Sequence, residues 1–257
     1  MVVDNWSVTE LIRDAAGNLY GTTFYGGRFN YCDEDHGGGT VFKIDTTGKT
    51  IVLHAFDDGP DGCFPSSGLV LDTAGNLYGT TLNNVLFKVD AFGTFTVLYT
   101  FKSFPDGYAP EGGLLLARQG NLYGTTSGGG NNSCLVITLG CGTVFKLDPS
   151  GQEAVLYSFT GGADGASPEA NLTEDAAGNL YGTTTYGGDV SCTNGCGTVF
   201  KLDVNGNQTV LYSFTRGADG FGPTAGLILD ATGNLYGVTT NGGAFSCGSG
   251  IWLRHCV

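Results

Sequence analysis

The sequence predicts an all-β fold of the β-propeller type, with about five blades of four antiparallel strands each. The first observation is that Gly-Asn-Leu-Tyr-Gly occurs five times, starting at Gly17, Gly75, Gly120, Gly178 and Gly233. The second is the spacing of these copies, 45 to 58 residues, which is typical of propeller blades and not of helical solenoids. The third is that each period contains four short segments rich in β-branched and aromatic residues. We therefore predict one domain over residues 1–257, with repeat units at 7–65, 66–110, 111–168, 169–223 and 224–257.

The second repeat unit shows the four strands of a blade, which we name A to D. Strand A is predicted at 68–72 and strand B at 77–81, joined by the turn residues Thr73 to Asn76. Strand C is predicted at 85–90 and strand D at 97–101, joined through Gly93. Strand C recurs as Thr-Val-Phe-Lys in three further units, at 40–45, 143–148 and 198–203. This order of segments predicts an up-and-down sheet in every unit.

The connections between strands differ between the two faces of such a blade. The A-to-B and C-to-D turns are short and uniform, and they lie on one face. The B-to-C loops and D-to-A links lie on the other face, are rich in glycine and carry seven of the eight cysteines. Binding residues concentrate on variable loops held by a rigid scaffold. We therefore expect any ligand on this second face, which we call the loop-rich face.

Charge and cysteine content exclude some classes of partner and suggest a compartment. The net charge is −13 and only 14% of residues are charged, which argues against nucleic acid and against acidic membrane surfaces. No apolar stretch approaches the ~20 residues that a membrane-spanning helix needs, so we expect no membrane insertion. The cysteines lie in loop-like sequence, which favours disulfides and an extracellular or cell-surface location. The first residues lack a basic, apolar leader, so we expect that any export signal is not in this chain.

The combined motifs resemble a known repeat family. They read Asp-Gly-x-x-Pro, then Leu-x-x-Asp-x-x-Gly-Asn-Leu-Tyr-Gly-Thr-Thr, then Gly-Thr-Val-Phe-Lys-Leu-Asp and Val-Leu-Tyr-Ser-Phe. This pattern resembles the bacterial GloVer (Gloeo-Verruco) tandem repeat over nearly the whole chain, and its strand order is similar to that of NHL-type propellers. The resemblance implies an exported or surface-anchored bacterial repeat protein, and it supplies no established catalytic residues.

The last unit departs from the repeat. It reads Gly250-Ile251-Trp252-Leu253-Arg254 where Val-Phe-Lys-Leu-Asp is expected, and no strand D follows. We therefore expect the last blade to be incomplete, or to be closed by the N-terminal segment Met1–Trp6.

The most regular polar element is Phe-x4-Asp-Gly-x-x-Pro on the D-to-A links. Its aspartates are the candidate ligand-binding residues: Asp61, Asp106, Asp164 and Asp219. If they surround the mouth of a central channel, their oxygens suit Ca²⁺ or sugar hydroxyls. The simpler interpretation is that Asp-Gly forms a turn in which the carboxylate bonds to nearby backbone N–H groups. We expect no cofactor, with Ca²⁺ at these four aspartates as the alternative.

Two further sets of polar residues are interpreted as structural. The first is four aspartates three residues before the repeated glycine, Asp14, Asp72, Asp175 and Asp230, which we expect to cap the A-to-B turn. Ala117 holds this position in the third unit. The second is His54, which stands where other units have tyrosine in strand D. The mixed cluster from Cys32 to His36 lacks a second pair of ligands at zinc spacing and is interpreted as a solvated loop.

The cysteines predict disulfides on the loop-rich face. Cys134 with Cys141, and Cys192 with Cys196, each lie within one B-to-C loop at separations that suit a local bridge. Cys32 has two alternative partners, Cys247 if the ring closes and Cys63 on a neighbouring link. The sequence alone does not decide between them.

The function is predicted to be binding and not catalysis. The chain has no Gly-x-Ser-x-Gly elbow and no phosphate-binding loop, and its three histidines lie in unrelated contexts. We expect a secreted or cell-surface binding or structural module for a glycan, a polymer or a protein. One alternative is a Ca²⁺-dependent propeller enzyme of the lyase or lactonase kind. Another is self-assembly in an extracellular structure, through an unpaired edge strand of the last blade.

Overall fold

A computed structural model describes residues 10–27, 32, 36–57, 59–131, 134 and 139–243. In these residues the chain forms four four-stranded antiparallel sheets and one two-stranded sheet. Every four-stranded sheet is an up-and-down meander in which each strand pairs with the next one along the chain. This arrangement matches propeller blades and confirms the predicted all-β fold. The predicted closure by Met1–Trp6 lies outside the described residues.

The strands recur at the same places in each repeat. Blades one and two contain β1 (Ile12–Arg13), β2 (Leu19–Thr23), β3 (Thr40–Ile44), β4 (Thr50–Ala55), β5 (Val70–Leu71), β6 (Leu77–Thr81), β7 (Val85–Val89) and β8 (Phe95–Thr100). Blades three and four contain β9 (Leu115–Leu116), β10 (Leu122–Thr126), β11 (Thr143–Leu147), β12 (Glu153–Ser158), β13 (Thr173–Glu174), β14 (Leu180–Thr184), β15 (Thr198–Leu202) and β16 (Gln208–Ser213). The fifth sheet contains β17 (Ile228–Leu229) and β18 (Leu235–Tyr236).

The chain divides into two compact units by the contacts of its residues. The first comprises residues 1–102, 109–123 and 147–153, and it holds blades one and two. The second comprises 103–108, 124–146 and 154–257, and it holds blade four and the two-stranded sheet, which we call blade five. No described helix has the length and the hydropathy that a membrane-spanning helix needs.

The repeated Gly-Asn-Leu-Tyr-Gly forms the A-to-B hairpin, and the preceding aspartate holds it. In blade two, the Asp72 carboxylate accepts hydrogen bonds from the backbone N–H groups of Ala74 (2.9 Å) and Asn76 (2.8 Å). Its other oxygen accepts bonds from the side chains of Asn76 (2.6 Å) and Tyr78 (3.0 Å). Gly75 has a φ of +86°, which a residue without Cβ adopts at little cost. The most repeated string of the chain is therefore a capped turn.

The same cap lowers the pKa of its aspartates. In blade one, a hydrogen bond from the Asn18 side chain lowers the pKa of Asp14 the most, and bonds from the Asn18 backbone and the Tyr20 hydroxyl lower it further. Partial desolvation raises this pKa, but the hydrogen bonds outweigh it, and the pKa lies at about 2. Desolvation raises the pKa of Asp175 in blade four, but bonds from Asn179 and Tyr181 outweigh it, and this pKa also lies at about 2. The cap therefore favours the ionised carboxylate.

Phenylalanines of strands C and D form the core between neighbouring blades. Phe87 of strand C lies over Gly79 of strand B, where a Cβ would approach the Phe87 ring to 2.6 Å. Phe56 of the preceding blade packs edge-on against Phe87, with ring centroids 5.3 Å apart. In the second unit, Phe159 packs in the same way on Phe200, at 5.1 Å. We call these contacts interblade phenylalanine pairs; all four rings are fully buried.

Candidate functional site

Disulfides hold the connections of the loop-rich face. Cys134 bonds to Cys141 and Cys192 bonds to Cys196, each within one B-to-C loop, with Cα atoms 5.3 and 5.1 Å apart. Of the two partners left open for Cys32, the structure forms the bridge to Cys63, with Cα atoms 6.0 Å apart. The alternative partner, Cys247, lies outside the described residues. Three disulfides suit an oxidising environment.

The candidate aspartates of the links in blades three and four are held by hydrogen bonds. Asp164 accepts bonds from the Tyr157 hydroxyl (3.0 Å) and from the backbone N–H of Thr160 (2.8 Å). Desolvation and the Asp164 carboxylate raise the pKa of Tyr157 to about 12. Asp219 accepts the equivalent bonds from Tyr212 (3.0 Å) and Thr215 (2.9 Å). Each carboxylate therefore ties a link to the strand D before it.

The other two link aspartates are more buried. An oxygen of Asp61 lies 2.7 Å from Nε2 of His54, so this histidine makes the contact that Tyr157 and Tyr212 make in blades three and four. The second carboxylate oxygen of Asp61 is buried without a hydrogen-bond partner among the described residues. Asp106 is buried at the equivalent position. In the described parts of the chain, no three His, Cys, Asp or Glu side chains are grouped as a metal site. Ligand or Ca²⁺ binding by Asp61, Asp106, Asp164 and Asp219 stays a prediction.

A cavity of about 510 Å³ opens on the loop-rich face of the second unit, between elements of blades four and five. We call it the polar cleft. In both blades, the segment after strand B lines the cavity. Thr185 and Tyr186 follow β14, and Asn241 follows β18. The D-to-A link contributes Arg216 and Phe221. Glu169 and the disulfide-bonded loop at Cys192, Thr193 and Gly195 complete the lining.

Backbone hydrogen bonds fix the walls of the polar cleft. Phe221 and Asn241 exchange a pair of backbone bonds, of 2.9 and 3.2 Å, which join the link to the segment after β18. The Ser191 hydroxyl donates to the Thr215 carbonyl (2.9 Å) and joins the disulfide-bonded loop to the same link. The cleft is therefore built on tied segments, which favours preorganised binding.

Arg216 and Phe221 form a pair on one wall of the polar cleft. The Arg216 guanidinium lies over the Phe221 ring, 5.4 Å from its centroid, in a cation–π contact. Arg216 has a φ of +64°, and Gly161 holds the equivalent position in blade three with a φ of +80°. An arginine in the left-handed region costs on the order of 1 kcal/mol that glycine avoids. Ser103, the equivalent residue of blade two, also has a positive φ (+72°), so the left-handed conformation belongs to the link and not to Arg216 alone.

Thr185, which lines the same cavity, has an unsatisfied hydroxyl. Its Oγ1 is buried, and it has no hydrogen-bond partner among the residues that the structure describes. A buried hydroxyl without a partner costs ~1–3 kcal/mol, which a bound hydrogen-bonding group would recover. Glu169, which accepts a bond from the Ser167 hydroxyl (3.1 Å), adds a carboxylate to the lining. The polar cleft therefore combines an aromatic surface with hydroxyl, amide and charged groups.

Sequence reasoning identified the face of the polar cleft but not its residues. Arg216, Phe221 and Thr185 belong to none of the motifs that recur in every unit. The available signal was a departure from the repeat: Arg216 replaces Gly161, and Phe221 replaces Ala166 at the equivalent position. The residues of the polar cleft therefore lie where the copies differ, whereas the four candidate aspartates lie where the copies agree.

The fold and these connections define a tandem-repeat β-propeller protein. The chain belongs to the Gloeobacter/Verrucomicrobia repeat family, whose model matches residues 7–251. No curated protein sequence matches the chain.

Solved structures with a similar fold have diverse functions. A provisionally assigned gluconolactonase is 14% identical with a TM-score of 0.53, over 90% of this chain and 70% of that one. A luciferin-regenerating enzyme is 13% identical with a TM-score of 0.53, over 89% of this chain and 67% of that one. The extracellular domain of a provisionally assigned one-component system from B. thetaiotaomicron is 12% identical with a TM-score of 0.51, over 93% of this chain and 38% of that one. At these identities the likeness shows the fold alone.

Proposed function

We propose that this protein is a secreted or cell-surface propeller that binds a neutral glycan in the polar cleft. The observation that carries the proposal is the unsatisfied, buried hydroxyl of Thr185 in a cavity that also holds the Arg216–Phe221 pair. The volume of about 510 Å³ falls within the range of ~300–1,000 Å³ that is usual for ligand pockets. The three disulfides support an extracellular location.

A sugar matches the chemistry of this lining. Its hydroxyl groups both donate and accept, so they suit the Thr185 hydroxyl, the Asn241 amide and the Glu169 carboxylate. Its apolar C–H face suits the aromatic side chains of Phe221 and Tyr186. A glycan is favoured over nucleic acid because the chain carries a net charge of −13. The role proposed is recognition, with no catalytic step assigned to the cleft.

A glycan array followed by calorimetry tests the proposal. The array identifies a neutral oligosaccharide, and titration calorimetry then compares the wild type with Arg216→Gly and Thr185→Val. Arg216→Gly restores the glycine of blade three, so we expect an unchanged or higher melting temperature but at least a tenfold loss of affinity. Thr185→Val keeps the shape but removes the hydroxyl, and we expect a loss of roughly fivefold.

Arg118→Ala is the matched control. Arg118 is an exposed arginine in the A-to-B turn of blade three, on the face opposite the loops, so its loss should leave affinity unchanged. Equal affinities of Arg216→Gly and wild type, or an array on which no neutral glycan binds, would contradict the proposal.

A further inference from the structure

Two side chains of opposite charge line the polar cleft. Glu169 belongs to the link between blades three and four, and Arg216 belongs to the link between blades four and five. Within the described part of the chain, neither side chain takes part in an ion pair. The lining therefore contains a carboxylate and a guanidinium that do not neutralise each other directly. This combination of charges bears on which sugars the cleft accepts.

The carboxylate of Glu169 is held in place by Ser167. The Ser167 hydroxyl donates to Oε1 of Glu169 (3.1 Å) and makes a longer contact of 3.3 Å with the Ser127 carbonyl. The backbone of Ser167 is fixed on both sides, because its N–H donates to the Cys141 carbonyl (2.9 Å) and its carbonyl accepts from the Thr185 N–H (3.0 Å). The second carboxylate oxygen of Glu169 has no hydrogen-bond partner among the described residues. An acceptor oriented in this way binds a donor at a lower cost in entropy.

Blade five shows the same two positions without a carboxylate. Thr224 is the equivalent of Glu169, and Thr240 is the equivalent of Thr185. The hydroxyls of the two threonines lie 2.9 Å apart and bond to each other. In blade four, Glu169 bonds to the Ser167 hydroxyl instead, and the Thr185 hydroxyl has no partner among the described residues. Glu169 therefore adds a charge to the cleft without making the contact that the smaller residue makes in blade five.

A carboxylate and a guanidinium act in opposite ways on a bound sugar. A neutral sugar has hydroxyl groups that donate to a carboxylate, and such charge-assisted bonds are about twice as strong as neutral ones. A uronic acid carries a carboxylate in place of one of these groups, and Glu169 repels it. An arginine without Glu169 would instead pair with the carboxylate of the uronic acid. Discrimination between two ligands often rests on such a repulsive element.

We propose, on the basis of the function proposed above, that Glu169 makes the polar cleft selective for neutral sugars over uronic acids. Its carboxylate accepts a hydrogen bond from a sugar hydroxyl and repels a sugar carboxylate that Arg216 would otherwise attract. Ser167 is the positioning residue, because its hydroxyl orients the carboxylate of Glu169. Glu169 is thus the residue that determines specificity within the cleft.

Methyl glucoside and methyl glucuronide are the probes that test this proposal. They differ only at C6, which carries a hydroxymethyl group in the first and a carboxylate in the second. Titration calorimetry at pH 7 measures both affinities, and we expect the wild type to bind the glucoside about tenfold more tightly. If the glycan array selects another sugar, the methyl glycosides of that sugar and of its uronic acid replace this pair.

Glu169→Gln is the decisive variant, because its amide oxygen still accepts the bond from Ser167. We expect the affinity for the glucuronide to rise about fivefold, since the repulsion is lost and Arg216 remains. We expect the affinity for the glucoside to fall about threefold, since the amide is a weaker acceptor than the carboxylate. The preference for the neutral sugar should therefore almost disappear.

Two further variants separate the local effect from the net charge and from folding. Glu174→Gln removes the same charge from β13 of blade four, outside the lining, and should leave the ratio of affinities unchanged. Ser167→Ala removes the positioning hydroxyl and should give a ratio between those of the wild type and Glu169→Gln. Alanine suits this backbone, because Ala109 holds the equivalent position in blade two with a φ of +51°, close to the +55° of Ser167.

The outcomes distinguish this proposal from glycan binding itself. A wild-type ratio in Glu169→Gln, or an equal change of the ratio in Glu174→Gln, would contradict the role of Glu169 and leave glycan binding in the polar cleft intact. A wild type that prefers the glucuronide would also contradict it. If no neutral sugar binds the wild type, on the array or in solution, the proposed function fails and the selectivity fails with it.

Discussion

Single residues in this chain separate into those that repeat and those that break the repeat. The repeated Asp72 and its equivalents were predicted as turn caps, and the structure shows four hydrogen bonds to the Asp72 carboxylate. This role follows from short-range turn chemistry, so the local sequence was sufficient to predict it. The role proposed for Arg216 depends on its contact with Phe221 across a folded link, which residue spacing alone does not reveal.

The cap predicts opposite effects for two substitutions. Asp72→Ala removes the acceptor of four hydrogen bonds, and we expect a loss of about 1–2 kcal/mol in the free energy of unfolding. Ala117 occupies the cap position in blade three, where its backbone N–H donates to Asn121 (2.9 Å) as Asp72 donates to Asn76. Ala117→Asp should therefore complete the cap and stabilise by about 0.5–1 kcal/mol. Urea denaturation measures the free energy of unfolding of both variants. A destabilised Ala117→Asp variant would contradict the prediction that the aspartate cap stabilises the turn.

At the level of strands, the sequence predicted strand C best. Strand C was predicted at 85–90 and 198–203 and lies at Val85–Val89 and Thr198–Leu202. Strand D was predicted at 97–101 and lies at Phe95–Thr100, because its pairing with strand C continues to the tight C-to-D turn. A register shift between Leu86 and Phe87 leaves Leu98 as an extra residue in strand D. Such a bulge depends on the paired strand, so one strand's sequence does not reveal it.

Interblade phenylalanine pairs predict unequal costs for equivalent substitutions. Phe159→Ala removes a fully buried ring that packs on Phe200, and we expect a loss of about 3–5 kcal/mol. Phe214→Ala removes the equivalent ring, which is partly exposed, and we expect a loss of only about 1 kcal/mol. Each variant is the control for the other, since both change the same motif position. Guanidinium denaturation measures the difference, and equal losses would show that Phe214 is already fully packed in solution.

For the whole molecule, the repeats predicted the architecture, whereas the proposed binding site lies where the repeats differ. The five copies and their four-strand pattern were sufficient to predict the fold class, because the same order of strands recurs from blade to blade. The single-domain organisation stays a prediction. The four aspartates singled out by their regularity contact tyrosine, histidine or link backbone where their contacts are described, while the polar cleft draws its residues from two different blades. Convergence of that kind is a property of the folded molecule.

The aspartates together predict how stability depends on pH. Nine described aspartates have a lowered pKa: Asp14, Asp45, Asp72, Asp90, Asp175, Asp189, Asp203, Asp219 and Asp230. For Asp14 and Asp175 it falls from 3.8 to about 2. Between these values the unfolded chain binds more protons than the folded chain, so stability rises with pH in this window. The contribution is complete above pH 3.8 and is lost as the pH falls towards 2.

A second effect of charge acts in the opposite direction at higher pH. The chain carries a net charge of −13 at pH 7 and has an isoelectric point near 4.3, so acidification from pH 7 first relieves repulsion. We therefore expect the melting temperature to be highest near pH 5 and to fall steeply below about pH 4. Calorimetry from pH 7 to pH 2 measures this profile. The double variant Asp14→Asn, Asp175→Asn should be less stable at pH 7 and lose less between pH 4 and pH 2. A wild-type melting temperature that stayed constant down to pH 2 would show that the caps do not stabilise the folded chain, since protonation removes their charge.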